Sequence, residues 1–401
     1  MGALSEHIDV TTYPFLPSSP GVDYFSHLVQ IFSGFDIVVV QRCYMYDVVR
    51  QVKDACEFVG IPMVFETDDD YLHLPPDNPA YLSMIPKAFM DSKPSPEDLE
   101  KKRIECLLQY IEIISFSDLV TVSTEELKRT LNMYNKNIEV LQNNIEQVWE
   151  YRDHLPESAF ITDGRFQVAI NHGLYSLPDH CVVDNKAFAV PRVGYSGTLT
   201  HRGNDFNTIK YYWEKFVAKH SKHAWFVYLG DKYFWDEHDQ IAKSKNLPNR
   251  HFNIPQSQYD LYMLNYRNID IGMAPLYNNV FNMSKSDIKA VEAAAWGIPC
   301  VLPNYVTYTR NFKHGENCLI YNNGKEFYDC LEALVTNAEL RHKLGSAAFT
   351  YVRDNRIEKQ HSARRLEIYK KVIDKSYRMH IFAPGGESEP ETTREPSYCE
   401  A

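Results

Sequence analysis

Short runs of apolar, often β-branched residues recur along this chain with helical stretches between them, and that rhythm constrains the fold more than any other feature. Asp36-Ile37-Val38-Val39-Val40, Pro62-Met63-Val64-Phe65-Glu66, Asp118-Leu119-Val120-Thr121-Val122-Ser123 and Ile138-Glu139-Val140-Leu141 read as strands. Runs that lack polar alternation suit strands covered on both faces, as in a parallel sheet flanked by helices. The rhythm weakens from about 145 to 190, where Pro156, Gly164, Gly173 and Pro178 interrupt it. It then resumes with Arg192 to Ser196, Ala224 to Leu229, Ile269 to Ala274 and Pro299 to Leu302. At 401 residues the chain exceeds one ordinary core, so two α/β units are expected with their junction in the interrupted stretch.

The connections add detail. Prolines at 75, 76, 79, 86 and 94 make 71–95 an irregular loop. Ser95-Pro96-Glu97-Asp98 opens a long helix, with Pro at its first position and acids in its first turn. Residues 355–380 read as a terminal helix, and the Glu-, Pro-, Ser- and Thr-rich stretch 384–401 as a disordered tail. A net charge of −11 argues against a dedicated nucleic-acid binder, which needs a basic footprint. Eight scattered cysteines include no Cys-x-x-Cys, so thiols in a cytoplasmic protein are expected rather than zinc or disulfides. No apolar run is long enough to span a membrane, and peripheral membrane contact stays open.

Three segments carry chemistry. The first is Lys285-Ser286-Asp287-Ile288-Lys289-Ala290-Val291-Glu292, followed by Trp296-Gly297 and a strand. Ser284 with Asp287 resembles a capping box, which puts Lys285 at the first helical position. A cation there opposes the helix dipole, and a bound phosphate would resolve the conflict. Glu292 lies roughly 10 Å further along, at ~1.5 Å per residue. That is about the span of a nucleotide diphosphate and its ribose. A capped surface helix with a Lys289–Glu292 pair would carry the same letters. The second segment, Gly194-Tyr195-Ser196-Gly197-Thr198-Leu199-Thr200-His201-Arg202-Gly203, joins a strand to a helix. Its glycines permit close backbone approach, and its hydroxyls and cations suit phosphate oxygens. Neither a Walker loop nor a Gly-x-Gly-x-x-Gly fingerprint is present. The third segment, Asp68-Asp69-Asp70, follows a strand and could hold a divalent cation, cap a helix, or place one carboxylate near a reacting group. The third reading is favoured, because Arg202 and Lys285 already supply positive charge for a leaving phosphate. Asn143-Asn144 reads as a structural turn, and His73, His154, His172 and His180 show no ligand spacing.

Together these segments resemble family 4-type (group 1) glycosyltransferases of the GT-B fold, over roughly residues 20–375. The most specific stretch runs from Asp270-Ile271-Gly272-Met273-Ala274-Pro275-Leu276 through Phe281-Asn282 to Lys285-Ser286-x-x-Lys289-x-x-Glu292, and it is similar to a subgroup acting on surface polysaccharides. The resemblance implies an α/β architecture of two facing Rossmann-like domains with a C-terminal crossover helix. The implied limits are 1–185 for the acceptor domain, 186–355 for the donor domain, 356–383 for the crossover helix and 384–401 for the tail. Glu292 is similar to the second Glu of the family's Glu-x7-Glu motif, which holds the ribose, whereas Ser284 stands where the first Glu belongs. Gly197 and Thr198 match the diphosphate loop, with His201, Arg202 and Asp205 in its extension. Asp68 falls near a family histidine beside the reaction centre. The first strand and Gly-rich loop expected of the fold are hard to find, and only His7 to Tyr13 could serve.

The reading that follows is a retaining glycosyltransferase using a nucleotide-diphosphate sugar and requiring no metal or other cofactor. Arg202, Lys285 and Asp68 are its expected catalytic residues. Ser196, Gly197, Thr198, His201, Asn282, Ser286, Asp287 and Glu292 are its expected donor contacts. The acceptor is a glycan, a lipid-linked or another hydroxyl compound. Alternatives are a transferase acting on a hydroxylated DNA base, a nucleotide-sugar epimerase, and a non-catalytic glycan-binding module.

Overall fold

The computed structural model describes residues 8–12, 23–148, 160–162, 167–169, 190–197, 204–230, 233–248 and 250–381. The first sheet is wholly parallel, with strands β1 (Val38–Gln41), β2 (Met63–Thr67), β3 (Leu119–Val122) and β4 (Ile138–Val140) lying side by side in chain order. Each connection carries a helix whose ends the sequence marks. Helix Tyr46–Val59 stops at Gly60, which takes φ 85°. Helix Pro96–Phe116 starts where Ser95 Oγ accepts from Asp98 N, and helix Glu125–Leu131 where Thr124 Oγ1 accepts from Leu127 N. Val40, Val52, Phe65, Tyr110, Ile113 and Val120 close the core between this sheet and its helices.

A short antiparallel hairpin, β5 (Phe160–Thr162) with β6 (Gln167–Ala169), lies in the stretch where the pattern weakens. The second sheet contains β7 (Arg192–Gly197), β8 (Trp225–Gly230), β9 (His251–Ile254), β10 (Ile271–Met273), β11 (Cys300–Pro303) and β12 (Leu319–Tyr321). Its order is β12-β11-β10-β7-β8-β9, parallel throughout, with a separate core on each face. The sequence pattern missed β9 and β12. Polar His251 and Asn253 break up the first, and the second is three residues long. The final helix, Glu358–Ile381, lays Ile368, Tyr369 and Val372 on Val64 and Leu119 of the first sheet.

Residues 8–12 form no strand, although Ile8 and Val10 pack beside that same cluster. The tail 384–401 lies outside the described residues. Among the described residues, no helix is long and apolar enough to cross a membrane.

Candidate active site

The strand order of the second sheet reverses between β7 and β10: β8 and β9 extend to one side, β11 and β12 to the other. Loops leaving the C-terminal ends at such a reversal diverge and open a crevice, where open α/β sheets bind ligands. Two of the three chemical segments leave from there. β7 ends at Ser196-Gly197, and the chain after β10 leads to Lys285 and Glu292.

The capping expectation needs correction. Ser284 does not start a helix: it is the C-cap of the short helix Val280–Met283. The next helix is Ile288–Ala294, with Asp287 at its N-cap position and no side-chain cap bond. Lys285 therefore precedes the helix. The reason is the Asp287 carboxylate, which is engaged elsewhere. Arg356 grips both its oxygens, at 2.8 and 2.8 Å, and Asn311 Nδ2 donates to it at 2.7 Å. This guanidinium and carboxylate are almost wholly buried. Arg356 also donates to Asn143 O and Asn144 Oδ1, where the chain leaves the first sheet. Asp287, expected among the donor contacts, is thus a structural tie between the two halves.

Lys285 and Lys289 behave differently. Lys289 Nζ donates to Ser196 O at 2.9 Å and Tyr195 Oη at 3.4 Å, and lies 4.9 Å from the Tyr195 ring centroid. Lys285 Nζ lies 4.6 Å from the centroid of Phe281. Among the described residues neither ammonium has a carboxylate in ion-pair contact. Burial lowers the pKa of Lys285, with Asp69, Asp205 and Asp68 pulling the other way. Burial, and then Lys285, push Lys289 down to about 7. From the sequence, Lys289 has a place in the motif but no assigned role, and it enters otherwise only in the alternative of a surface pair with Glu292. Its place three residues before Glu292 on the same helix was the available signal that these two share a face.

Glu292 is buried and held rigidly. Its Oε2 accepts from Tyr262 Oη at 2.8 Å and Tyr266 Oη at 2.9 Å, leaving Oε1 outside this network. Tyr262 Oη also meets Ser196 Oγ at 2.5 Å, so the expected donor residues Ser196 and Glu292 are joined through a tyrosine that no motif marked. Burial raises the Glu292 pKa, opposed by both phenols and Lys289. Gly197 is sterically required: a Cβ there would stand 2.5 Å from the Tyr195 ring and 2.7 Å from its hydroxyl.

Two further expected contacts are redirected. Asn282 donates both amide hydrogens inward, to Asp205 Oδ1 at 3.0 Å and Tyr277 O at 2.8 Å. It therefore positions Asp205 instead of offering N–H groups to a ligand. Ser286 Oγ accepts from Asn143 Nδ2 at 3.0 Å, another tie across the two halves. Thr198, His201 and Arg202 lie outside the described residues.

The acidic triplet faces this segment from the first sheet, and its members diverge. Asp68 Oδ1 lies 3.3 Å from Arg42 Nε. Buried Asp70 lies 2.9 Å from His73 Nδ1 and accepts from Ser284 Oγ at 3.3 Å. Thr124 Oγ1 donates to Ser284 O at 2.7 Å. Burial and then Asp69 raise the Asp68 pKa, against Arg42. Among the described residues, no group of three or more His, Cys, Asp or Glu side chains converges as a metal site.

Residues 213–368, which include the lysines and Glu292, match the family model described as "Glycosyl transferase-like". No curated protein sequence matches the chain. Among solved structures, a glycosyltransferase from Rickettsia africae aligns with a TM-score of 0.54 at 14% identity, covering 89% of this chain and 84% of that one. Anabaena HepE in complex with UDP-glucose aligns with a TM-score of 0.52 at 12% identity, covering 88% and 82%. Staphylococcus aureus TarM, in complex with fondaparinux, alpha-GlcNAc-glycerol and UDP, aligns with a TM-score of 0.52 at 13% identity, covering 87% and 59%. The two parallel sheets match these structures, so the fold is GT-B, and the family match marks the enzyme as a glycosyltransferase.

Proposed function

We propose that this GT-B glycosyltransferase moves a sugar, with retention, from a nucleotide-diphosphate donor to an acceptor hydroxyl in cytoplasmic glycan or polysaccharide synthesis. The observation that carries the reading is the pair Lys285 and Lys289. Two half-buried ammonium groups at a topological switch point, with no carboxylate bonded to either among the described residues, fit an anion supplied by a ligand. UDP-glucose in the HepE complex supports a nucleotide sugar as that ligand. In this proposal residues 1–185 receive the acceptor and 186–355 the donor. The diphosphate lies against Gly197 and Lys285, with Arg202 adding charge, and Glu292 turns Oε1 to the ribose.

The acceptor oxygen forms its bond to the anomeric carbon as the carbon–oxygen bond to the diphosphate breaks. The bonding pair leaves with the diphosphate, whose oxygen takes the hydroxyl proton, and the lysines stabilise the charge that develops. Asp68 stands on the acceptor side of the cleft.

Calorimetry with nucleotide diphosphates tests the donor site. Glu292→Ala should weaken binding by about 1.5–3 kcal/mol, the range for a hydrogen bond to a charged group. Unchanged affinity for every nucleotide would remove Glu292 from the site. Product NMR reads the configuration at the anomeric carbon, and an inverted product would end the retaining assignment.

A further inference from the structure

Three hydroxyl groups meet one carboxylate between the two donor segments. Tyr262 lies in the helix Tyr259–Asn265, and Tyr266 opens the 3-10 turn that continues it. Four residues apart on a helical path, their side chains share a face, with ring centroids 5.4 Å apart at 79°. Both phenols end on the same atom of another helix: Tyr262 Oη donates to Glu292 Oε2 at 2.8 Å and Tyr266 Oη at 2.9 Å. The two phenolic oxygens stand 3.0 Å apart, and Ser196 Oγ stands 2.5 Å from Tyr262 Oη.

Each hydroxyl has one hydrogen, so the direction of every bond can be assigned. An ionised carboxylate only accepts, and hydrogen bonds to it are roughly twice as strong as neutral ones. Both phenolic hydrogens therefore go to Oε2. None remains for the contact between the phenols, which is close because both aim at one oxygen. Tyr262 has no second hydrogen for Ser196, so Ser196 Oγ donates to Tyr262. The Ser196 hydroxyl, which by residue type suits a phosphate oxygen, is thus turned into the protein. The carbonyl of the same residue accepts from Lys289 Nζ at 2.9 Å. Ser196, next to Gly197 at the end of β7, is tied by its side chain to Tyr262 and by its backbone to the helix that carries Glu292.

The two tyrosines are not equivalent. Removing either hydroxyl leaves the Glu292 carboxylate with one donor instead of two. Removing that of Tyr262 also releases Ser196. Burial raises the Glu292 pKa, and Tyr262, Tyr266 and Lys289 lower it; among the described residues these are the titratable groups that face it. Loss of a phenol favours the protonated acid, so Glu292 then takes up its proton at a higher pH.

We propose that Tyr262 and Tyr266 are positioning residues: they fix the Glu292 carboxylate through Oε2 and leave Oε1 available, and Tyr262 also sets the Ser196-Gly197 turn against it. That Oε1 serves a nucleotide-sugar donor rests on the function proposed above. The positioning itself is measured without a ligand.

Carbon-13 NMR of the full chain, labelled at its glutamate carboxyl groups, provides that measurement, with the Glu292 signal identified by its absence from Glu292→Gln. Tyr262→Phe and Tyr266→Phe keep the rings and their packing, and each should move the Glu292 titration to higher pH. Tyr228→Phe is the control for a lost buried phenol: its hydroxyl meets His238 Nδ1 at 2.8 Å, in the core on the other face of the sheet. It should leave the Glu292 titration in place. Calorimetry with nucleotide diphosphates at pH 7 then separates the tyrosines. Tyr266→Phe should weaken binding roughly fivefold and Tyr262→Phe roughly twentyfold or more, the effect of one modest hydrogen bond against two. The proposal falls if Glu292 titrates at the unaltered pH in both phenylalanine variants, or if Tyr228→Phe shifts it equally. It also falls if Glu292→Gln weakens nucleotide binding yet Tyr262→Phe binds no more weakly than Tyr266→Phe. If Glu292→Gln binds every nucleotide as the unaltered chain does while both titrations shift, the donor reading fails and the positioning of Glu292 survives.

Discussion

Two sets of charge, one buried and one half-buried, lie within a few residues of each other and serve opposite ends. Asp287 is matched by Arg356 in a bidentate pair that also fastens the Asn143-Asn144 crossing. Lys285 and Lys289 lie half-buried beside it against aromatic rings and a carbonyl, with no carboxylate in contact among the described residues. A buried charge needs a partner or its pKa moves. The first set is neutralised within the fold and holds the halves together. The second is left incomplete, which lowers both lysine pKa values and fits a partner that arrives from outside.

The largest expected effect comes from breaking the complete pair. Asp287→Ala strands a buried guanidinium and should cost about 3–5 kcal/mol of stability in denaturant unfolding. A loss below about 1 kcal/mol would class the pair with surface ion pairs and dissolve the contrast.

Breaking the incomplete set should act on ligand binding and turnover while sparing the fold. Lys285→Met should lower kcat/KM by about 10²-fold or more, the scale of one lost electrostatic stabiliser, while the melting temperature holds or rises. A variant that unfolds but binds nucleotide normally would reverse the assignment.

A smaller effect is the pH response of Lys289. With its pKa held near 7 by burial and Lys285, against Asp205 and Glu292, the side chain loses its proton as pH rises through neutrality. A diphosphate favours the charged form, so donor binding should take up a proton and weaken above pH 7, by at most about tenfold per pH unit. The folded chain binds fewer protons here than the unfolded chain between about 7 and 10.5, so this group alone makes stability rise with pH across that window. Lys289→Met should flatten both profiles. Calorimetry in buffers of different ionisation enthalpy counts the proton, and a count of zero would remove Lys289 from the donor response.

The smallest effect marks the floor. Lys325 and Asp329 form an exposed i,i+4 pair, and Lys325→Ala should leave thermal unfolding and turnover unmoved. A clear change in either would show that exposed pairs also matter in this molecule.

Much of the fold was legible in the pattern of residues. Apolar runs located eight strands, and Ser95-Pro96 marked a real helix start, because strand burial and helix capping are local properties. The site was legible in its outline and less so in its parts. Gly197, Lys285 and Glu292 lie at the switch point, but Asp287, Asn282 and Ser286 proved to be ties within the protein. Their letters suit a ligand contact and an internal hydrogen bond equally well. Tyr262 and Tyr266 carry no motif, so nothing linked them to Glu292 until the chain folded.

The sequence by itself determined the alternation of strand and helix and the resemblance at 270–301, since each is written in neighbouring residues. Only the tertiary structure decided which charges were already partnered. Arg356 lies 69 residues from Asp287, and Asp70 lies 214 from Ser284. A charge becomes structural or functional according to what the fold brings within a few ångströms of it, and residue spacing along the chain does not encode that distance.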